Sequence, residues 1–427
     1  MRRFYEPLVL LYTLGSTRGE HTHTDPSSED ISHLTLRHLR RIFLTELAYV
    51  CDYDKGGDTV TAIGLEFTPQ GYVYRVASNT SPRMKIAPFL TLLLNKLKTI
   101  SERTTVDTSR EIEEVAKYCI KFAEPRIKKY KHLLNRCLSK CHGFLLASTE
   151  GTEGTFTWLR IWTGDLTPLA LCHFAYENRK SIFMHTLANL SAEPRYKSSS
   201  DSKDKIFGSI RHYIGRLGHH FRAAATLISC VLRLPDLVEN FRVDSITTPP
   251  RSTVPLASDK TSLESIIGRM LPANSPDLDR YRRTLVEMDA KYKLSSQFLK
   301  NYSSSTLKPR VHAEVQLMDQ FYKNSWPFPD NDRYIACSKP ACFCCKLYFQ
   351  HHPGHFEKPA SHNKMYLNWR PPGSDNGCDA TNAKRQRDIL NSITADIRRE
   401  ALRQIDEKAA PHAWHPDSVT GITMTEA

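Results

Sequence analysis

The chain has 427 residues, of which 40% are hydrophobic and 25% charged, with a formal net charge of +13 and eleven cysteines. That is the composition of a globular protein large enough for two or three domains, or for one core with a large insertion. Irregular and odd-numbered cysteines argue against a secreted disulfide scaffold and fit a reducing cytoplasm or nucleus, and no apolar run reaches the length of a membrane span.

In chain order, Leu8 to Leu14 follows Arg2-Arg3 but lacks a small-residue cleavage site, so it is expected to be an ordinary first strand or helix rather than a signal peptide. Residues 16–30, rich in Ser, Thr, His and acid, are expected to be a flexible surface segment. Leu36, Leu39, Phe43, Leu47 and Val50 stand at helical spacing and predict an amphipathic helix over 31–50, broken at Lys55-Gly56-Gly57-Asp58. A hairpin follows, with strands over 59–67 and 72–77 about the turn Pro69-Gln70-Gly71. Helices are predicted over 86–100, over 109–140 with an interruption at Pro125, and over 209–234. Between them, 143–162 predicts a second hairpin around Glu150-Gly151-Thr152-Glu153-Gly154, and 194–205 a mobile loop. A Pro-rich linker spans 247–258, and helical pattern resumes over 263–271 and 278–300.

Among the 59 basic residues, clusters stand at Arg37 to Arg41, Arg126 to Lys131, Arg211 to Arg222, Lys384 to Arg387 and Arg398-Arg399. Each cluster is either a solvated helix face or a surface for a polyanion, where Tyr130 and Tyr213 would stack on bases if exposed.

The chemistry is concentrated in 311–369. Val311 to Tyr322 predicts a helix opening at His312-Ala313-Glu314, Asp332 to Ser338 a short strand, and the run from Cys342 a second helix carrying Cys345 and ending at Pro353-Gly354. One His, two Cys and a nearby carboxylate are what a zinc deaminase requires, and both half-sites fall at helix N-termini, where backbone N–H groups favour a thiolate. Cys342, Cys345, His351 and His355 are the rival set, a closed four-ligand structural site. Cys337 and Cys344 read as neighbouring core thiols. Beyond the cysteines, His351, His352, His355 and His362 lie in a loop, 364–369 predicts a strand, 379–407 a long charged helix, and residues from Pro411 a poorly ordered tail.

These residues resemble the cytidine deaminase-like zinc superfamily, and more closely an OTT-type deaminase-like family of mostly uncharacterised fungal proteins. The closer resemblance rests on Asp52-Tyr53-Asp54-Lys55-Gly56-Gly57-Asp58-Thr59-Val60, His312-Ala313-Glu314, Ser338-Lys339 with Cys342-x-x-Cys345, and Tyr366-Leu367-Asn368-Trp369-Arg370. It implies zinc on His312, Cys342 and Cys345, a metal-bound water as nucleophile, Glu314 as proton shuttle, and substrate contacts at Ser338 and Lys339. Asn79 matches the place of a substrate-contacting Asn in that superfamily, and reads equally well as a plain turn residue. One departure stands out: the superfamily usually has Pro directly before the first Cys, where this chain has Ala341.

The resemblance also implies the fold, an α/β three-layer core with a mixed sheet and helices on both faces. In this layout residues 1–30 are an N-terminal segment, 31–82 the first helix and hairpin of the core, 83–300 a mainly helical insertion, 301–410 the zinc-binding half and 411–427 a tail. An insertion of that length is entropically tolerable. The expected substrate is an aminated nucleobase, in a nucleic acid or a nucleotide. The alternatives are a nucleic-acid-binding protein with a structural zinc, and a degenerate deaminase fold used as a scaffold.

Overall fold

The computed structural model describes residues 1–23, 33–146, 153–192, 203–272, 274–304, 306–373, 380–409, 412 and 415–417. Its helices and strands, in chain order, are α1 (Arg2–Leu14), α2 (Leu36–Cys51), β1 (Thr61–Thr68), β2 (Gly71–Ser78), α3 (Ile86–Ser101), α4 (Thr108–Phe122), α5 (Glu124–Leu146), α6 (Glu153–Ile161), α7 (Pro168–Asn178), α8 (Ile182–Ala192), α9 (Lys203–Arg233) and α10 (Asp236–Glu239). They continue with β3 (Phe241–Ser245), α11 (Leu263–Met270), α12 (Leu278–Tyr292), α13 (Leu294–Tyr302), α14 (Ala313–Lys323), β4 (Ile335–Cys337), α15 (Phe343–His351) and α16 (Ala380–Asp406). The chain is α/β, with a mixed sheet among many helices. No described helix is long and apolar enough to cross a membrane.

Two compact units divide the chain, the first formed by residues 1–29, 77–81 and 246–417, the second by 30–76, 82–245 and 418–427. In the second, α9 is the axis, with α2, α3, α4, α5, α7 and α8 packed around it. Ile210, Ile214, Leu217, Leu227, Ile228 and Val231 supply its buried surface. At Gly218 the helices meet so closely that a Cβ would lie 2.9 Å from the backbone of Ala175 on α7. The strand order here is β3-β2-β1. β1 and β2 form the expected hairpin, and β3 runs parallel to β2 in the register Tyr72↔Phe241 to Val76↔Ser245. Gly71 opens β2 at φ 120°, where a Cβ would meet the Asn240 carbonyl oxygen at 2.2 Å, so this corner accepts no larger residue.

Several expectations are corrected. The second hairpin is absent, because α5 continues to Leu146 and α6 covers 153–161. Trp158, Leu159 and Trp162 are buried together, a helical spacing that short apolar runs do not distinguish from a strand. Helical pattern over 278–300 is interrupted at Lys293, which takes a left-handed conformation between α12 and α13. The loop expected over 194–205 lies mostly outside the described residues, and 203–205 belong to α9.

In two of the basic clusters one arginine is core rather than surface, while Lys128 and Lys129 stay exposed. Arg126 is buried, donates to the Asp52 carbonyl at 2.6 Å, and stacks at 4.7 Å on Tyr49, as does buried Arg216. Tyr130 is buried against them and Tyr213 is half-buried beside it, so Tyr130 does not offer a face to a base. The Asp52 to Val60 motif ties this cluster together, since the Asp52 carboxylate accepts from Thr59 at 2.6 Å while Asp54 pairs with Lys129 at 2.8 Å.

In the first unit α1 packs against α11, α13 and α16, while α16 also covers α12 and α15. The apolar run Leu8 to Leu11 is fully buried there, as expected of a helix from the interior. α14 packs on β4 and α15, which places the ends of those three elements side by side. The strand expected over 364–369 does not form; Lys364 and Trp369 make isolated bridges to Thr17 and Arg310. Leu367 and Asn368 form a turn closed by Trp369 N–H to the Tyr366 carbonyl, so the apolar alternation buries each side chain without a ladder. Residues 16–23, expected to be flexible, are held by the bridges Thr17↔Lys364 and Thr22↔Ser361. Residues 24–32 lie outside the described residues, as does most of the tail beyond Pro411.

Candidate functional site

His312 is the N-cap of α14 and Glu314 stands in its first turn; Cys342 is the N-cap of α15, with Cys345 one turn in. Residues at a helix start splay toward the axis end, so His312 and Glu314 share one side despite their spacing. The three ligand-type atoms converge. His312 Nδ1 lies 3.6 Å from Cys342 Sγ and 3.3 Å from Cys345 Sγ, and the sulfurs are 3.4 Å apart. Tetrahedral zinc, with Zn–S of about 2.3 Å and Zn–N of about 2.0 Å, separates such ligand atoms by roughly 3.5–3.8 Å, so the triangle fits that ion to within a few tenths of an ångström.

Among the described residues this is the one group of His, Cys, Asp or Glu side chains arranged to hold a metal. The closed four-ligand alternative does not form, because His351 is bonded to Asp396 at 2.6 Å and exposed His355 stands outside the cluster.

The site is buried, and its charges are coupled. Burial works against a charged His312, but the adjacent Cys342 outweighs it and raises the ring above the ordinary histidine range. For Cys342 burial favours the thiol, yet the hydrogen bond from Cys345 and the His312 ring bring it well below the usual thiol range. Cys345 is pushed up by burial and by that same neighbour. The His312 ring and the Cys345 thiol thus favour a thiolate on Cys342, and a divalent cation held here would favour one on Cys345 as well. Glu314 is buried at the edge of the cluster, where the Cys337 thiol donates to its Oε2 at 3.9 Å.

Several contacts fix the ligands, and the sequence reading assigned no role to the residues that make most of them. The Trp369 indole N–H donates to Cys345 Sγ at 3.3 Å, and its ring is fully buried against Phe4 and Tyr348. Arg310 exchanges backbone bonds with Asn368 and Arg370 at 2.7 and 2.9 Å, delivering the chain to His312. Gln316 donates to the carbonyls of Ser78 and Val311. Ala341 donates its N–H to the Ala360 carbonyl at 2.7 Å, a bond that a proline could not make, which accounts for the departure from the superfamily pattern. Trp369→Phe should keep the packing but remove the donor, weakening zinc affinity about 10–100-fold in a competitive chelator titration.

Asn79 lies next to the metal residues, its Oδ1 accepting from the backbone N–H of Ala313 at 2.8 Å. That N–H is an orphan of the first helical turn, so Asn79 serves the helix as a cap supplied from outside it. Asn79→Ala should cost about 1–3 kcal/mol in denaturant unfolding, because it strands a buried donor. Ser338 is buried and Lys339 half-buried, directly after β4, whose last residue Cys337 reaches Glu314.

No curated protein and no solved structure matches the chain. A family model does match, that of the OTT_1508-like deaminases, over residues 311–373, a match consistent with the cytidine deaminase-like superfamily. That stretch contains His312, Glu314, Cys342, Cys345 and Trp369, and the segment 311–373 is thus similar to the OTT_1508-like deaminases.

Proposed function

We propose that the protein is a zinc-dependent hydrolytic deaminase acting on an aminated nucleobase, in a nucleotide or a nucleic-acid strand. The observation that carries the proposal is the convergence of His312 Nδ1 and two sulfurs at tetrahedral spacing with the Glu314 carboxylate buried beside them. Zinc would be held by His312, Cys342 and Cys345 and would supply Lewis acidity that brings the pKa of a water to about 7. Among the described residues the set offers three protein ligands rather than four, which suits catalysis more than scaffolding.

Glu314 is not needed as a ligand, and its assigned work is to take a proton and deliver it to a ring nitrogen of the base, then assist the departure of ammonia. Its burial keeps bulk water from competing for that proton. Asn79, at the start of α14, and Ser338 with Lys339, after β4, are assigned to substrate contact. Trp369 holds the Cys345 sulfur in place through its N–H, a positioning role. The net charge of +13 supports a phosphate-bearing partner. The fold assignment that accompanies this reading is a cytidine deaminase-like three-layer core with residues 83–300 as its helical insertion.

The test is mass-spectrometric detection of deaminated product from cytidine, adenosine, their nucleotides, and single-stranded DNA and RNA. A gain of about one dalton that requires zinc-loaded protein and vanishes after chelation is expected. No product from any of these with zinc fully bound would refute the reading.

A further inference from the structure

Beside the metal cluster, three stretches of the first unit meet: 17–22, 361–366 and 415–417. The first two are bridged at Thr17↔Lys364 and Thr22↔Ser361. The third is attached to the first through the His21 Nε2 bond to the Pro416 carbonyl at 2.8 Å and the His415 Nε2 bond to the Gly19 carbonyl at 3.1 Å. The middle stretch flanks a ligand on both sides, since His362 N–H donates to the Ala341 carbonyl and Phe343 N–H donates to the Lys364 carbonyl, bracketing Cys342. Tyr366 completes the approach, its ring centroid 6.4 Å from that of His312 and 5.8 Å from that of His362.

These stretches hold the Asp417 carboxylate, whose side chain remains 39% exposed. Asp417 places one oxygen 2.7 Å from Lys364 Nζ and the other 2.7 Å from the Tyr366 hydroxyl. The Lys364 side chain is only 9% exposed, and an ammonium so buried requires an anion. Burial alone would raise Asp417, yet the bonds from Lys364 and Tyr366 hold it well below the usual carboxylate range. Burial also keeps His362 and His21 neutral near pH 7, His362 being pushed down to about 4, so the positive charge of the subsite is that of Lys364. The anion comes from residues outside the described helices and strands rather than from an element of the scaffold. Two oxygens on one centre, met by one ammonium and one hydroxyl, is equally the pattern by which a phosphate is held.

We propose that Lys364 and Tyr366 form an anion subsite next to Cys342 that takes a phosphate group of the substrate, and that the Asp417 carboxylate occupies it as an internal stand-in. Substrate of this class displaces the segment 415–417, so Asp417 competes with it. The identity of the phosphate carrier as a substrate rests on the deaminase reading above, whereas anion binding by the subsite does not.

The experiment is calorimetric titration of the full-length protein with inorganic phosphate, comparing wild type, Asp417→Ala, and Asp417→Ala combined with Lys364→Met or with Tyr366→Phe. Phosphate should bind Asp417→Ala about tenfold or more tighter than wild type, and both second substitutions should reverse the gain. The proposal is overturned if Asp417→Ala gains no affinity, or if the gain survives both second substitutions. Displacement of phosphate from Asp417→Ala by a mononucleotide or by a short single-stranded oligonucleotide then identifies the carrier, and displacement by neither removes the substrate assignment. Phosphate binding is read without turnover, so a chain that binds phosphate as expected and deaminates nothing retains the subsite and loses the deaminase reading.

Discussion

Glu314→Gln is expected to lower the deamination rate by about 10²–10⁴-fold, the range that a positioned general acid–base group contributes, while zinc content stays at the wild-type value. Glutamine keeps the shape of the side chain and its capacity to accept from Cys337, but it cannot take up and release a proton. Product formation and metal content must be measured on the same preparation. Loss of zinc would make Glu314 a ligand or a structural partner of the cluster, and an unchanged rate would remove it from the proton path.

The second large effect is expected at Cys345. Cys345→Ala takes away a sulfur that lies 3.4 Å from Cys342 and 3.3 Å from His312 Nδ1, leaving two of the three donors. Zinc affinity should fall by well over the ~100-fold that an outer partner such as Trp369 contributes, and activity should fall with it. Cys344→Ala is the control. Its thiol is fully buried, pushed up by that burial, and has no place in the metal group, so zinc should remain bound at wild-type stoichiometry. Retention of full zinc by Cys345→Ala would overturn the ligand set.

The grouping of His312, Cys342 and Cys345 was legible because its signals are local. His312 and Cys342 each announce a helix start, and capping preference, apolar periodicity and the bounding prolines locate α14, β4 and α15 within a few residues. Trp369 and Arg310 were legible as residue types but not as partners of the site, because their contacts join segments far apart in sequence. The errors have a common physical origin. In 143–162 and 364–369, short apolar runs were read as strands, yet such runs serve a helix face or single burials equally well. The basic clusters misled for another reason: charge predicts exposure only on average, and buried Arg126 and Arg216 both stack on Tyr49, Arg126 donating to the Tyr49 and Asp52 carbonyls and Arg216 to the Tyr130 hydroxyl. β3 was missed because a five-residue strand between a helix end and a Pro-rich linker declares itself only through its pairing with β2.

The Asn79 bond to Ala313 also sets an order of assembly. His312 and Cys345 are 33 positions apart, whereas Asn79 and Ala313 are separated by 234. Closing the longer span costs about 2 kcal/mol more in chain entropy, so the ligands can find one another on a short tether long before the cap arrives. In the proposed enzyme the cap on the first turn of α14 therefore depends on a far longer loop closure than the His/Cys cluster does, so a lengthened or cut segment between 82 and 245 bears on Asn79 and Ala313 before it bears on the ligand-type residues.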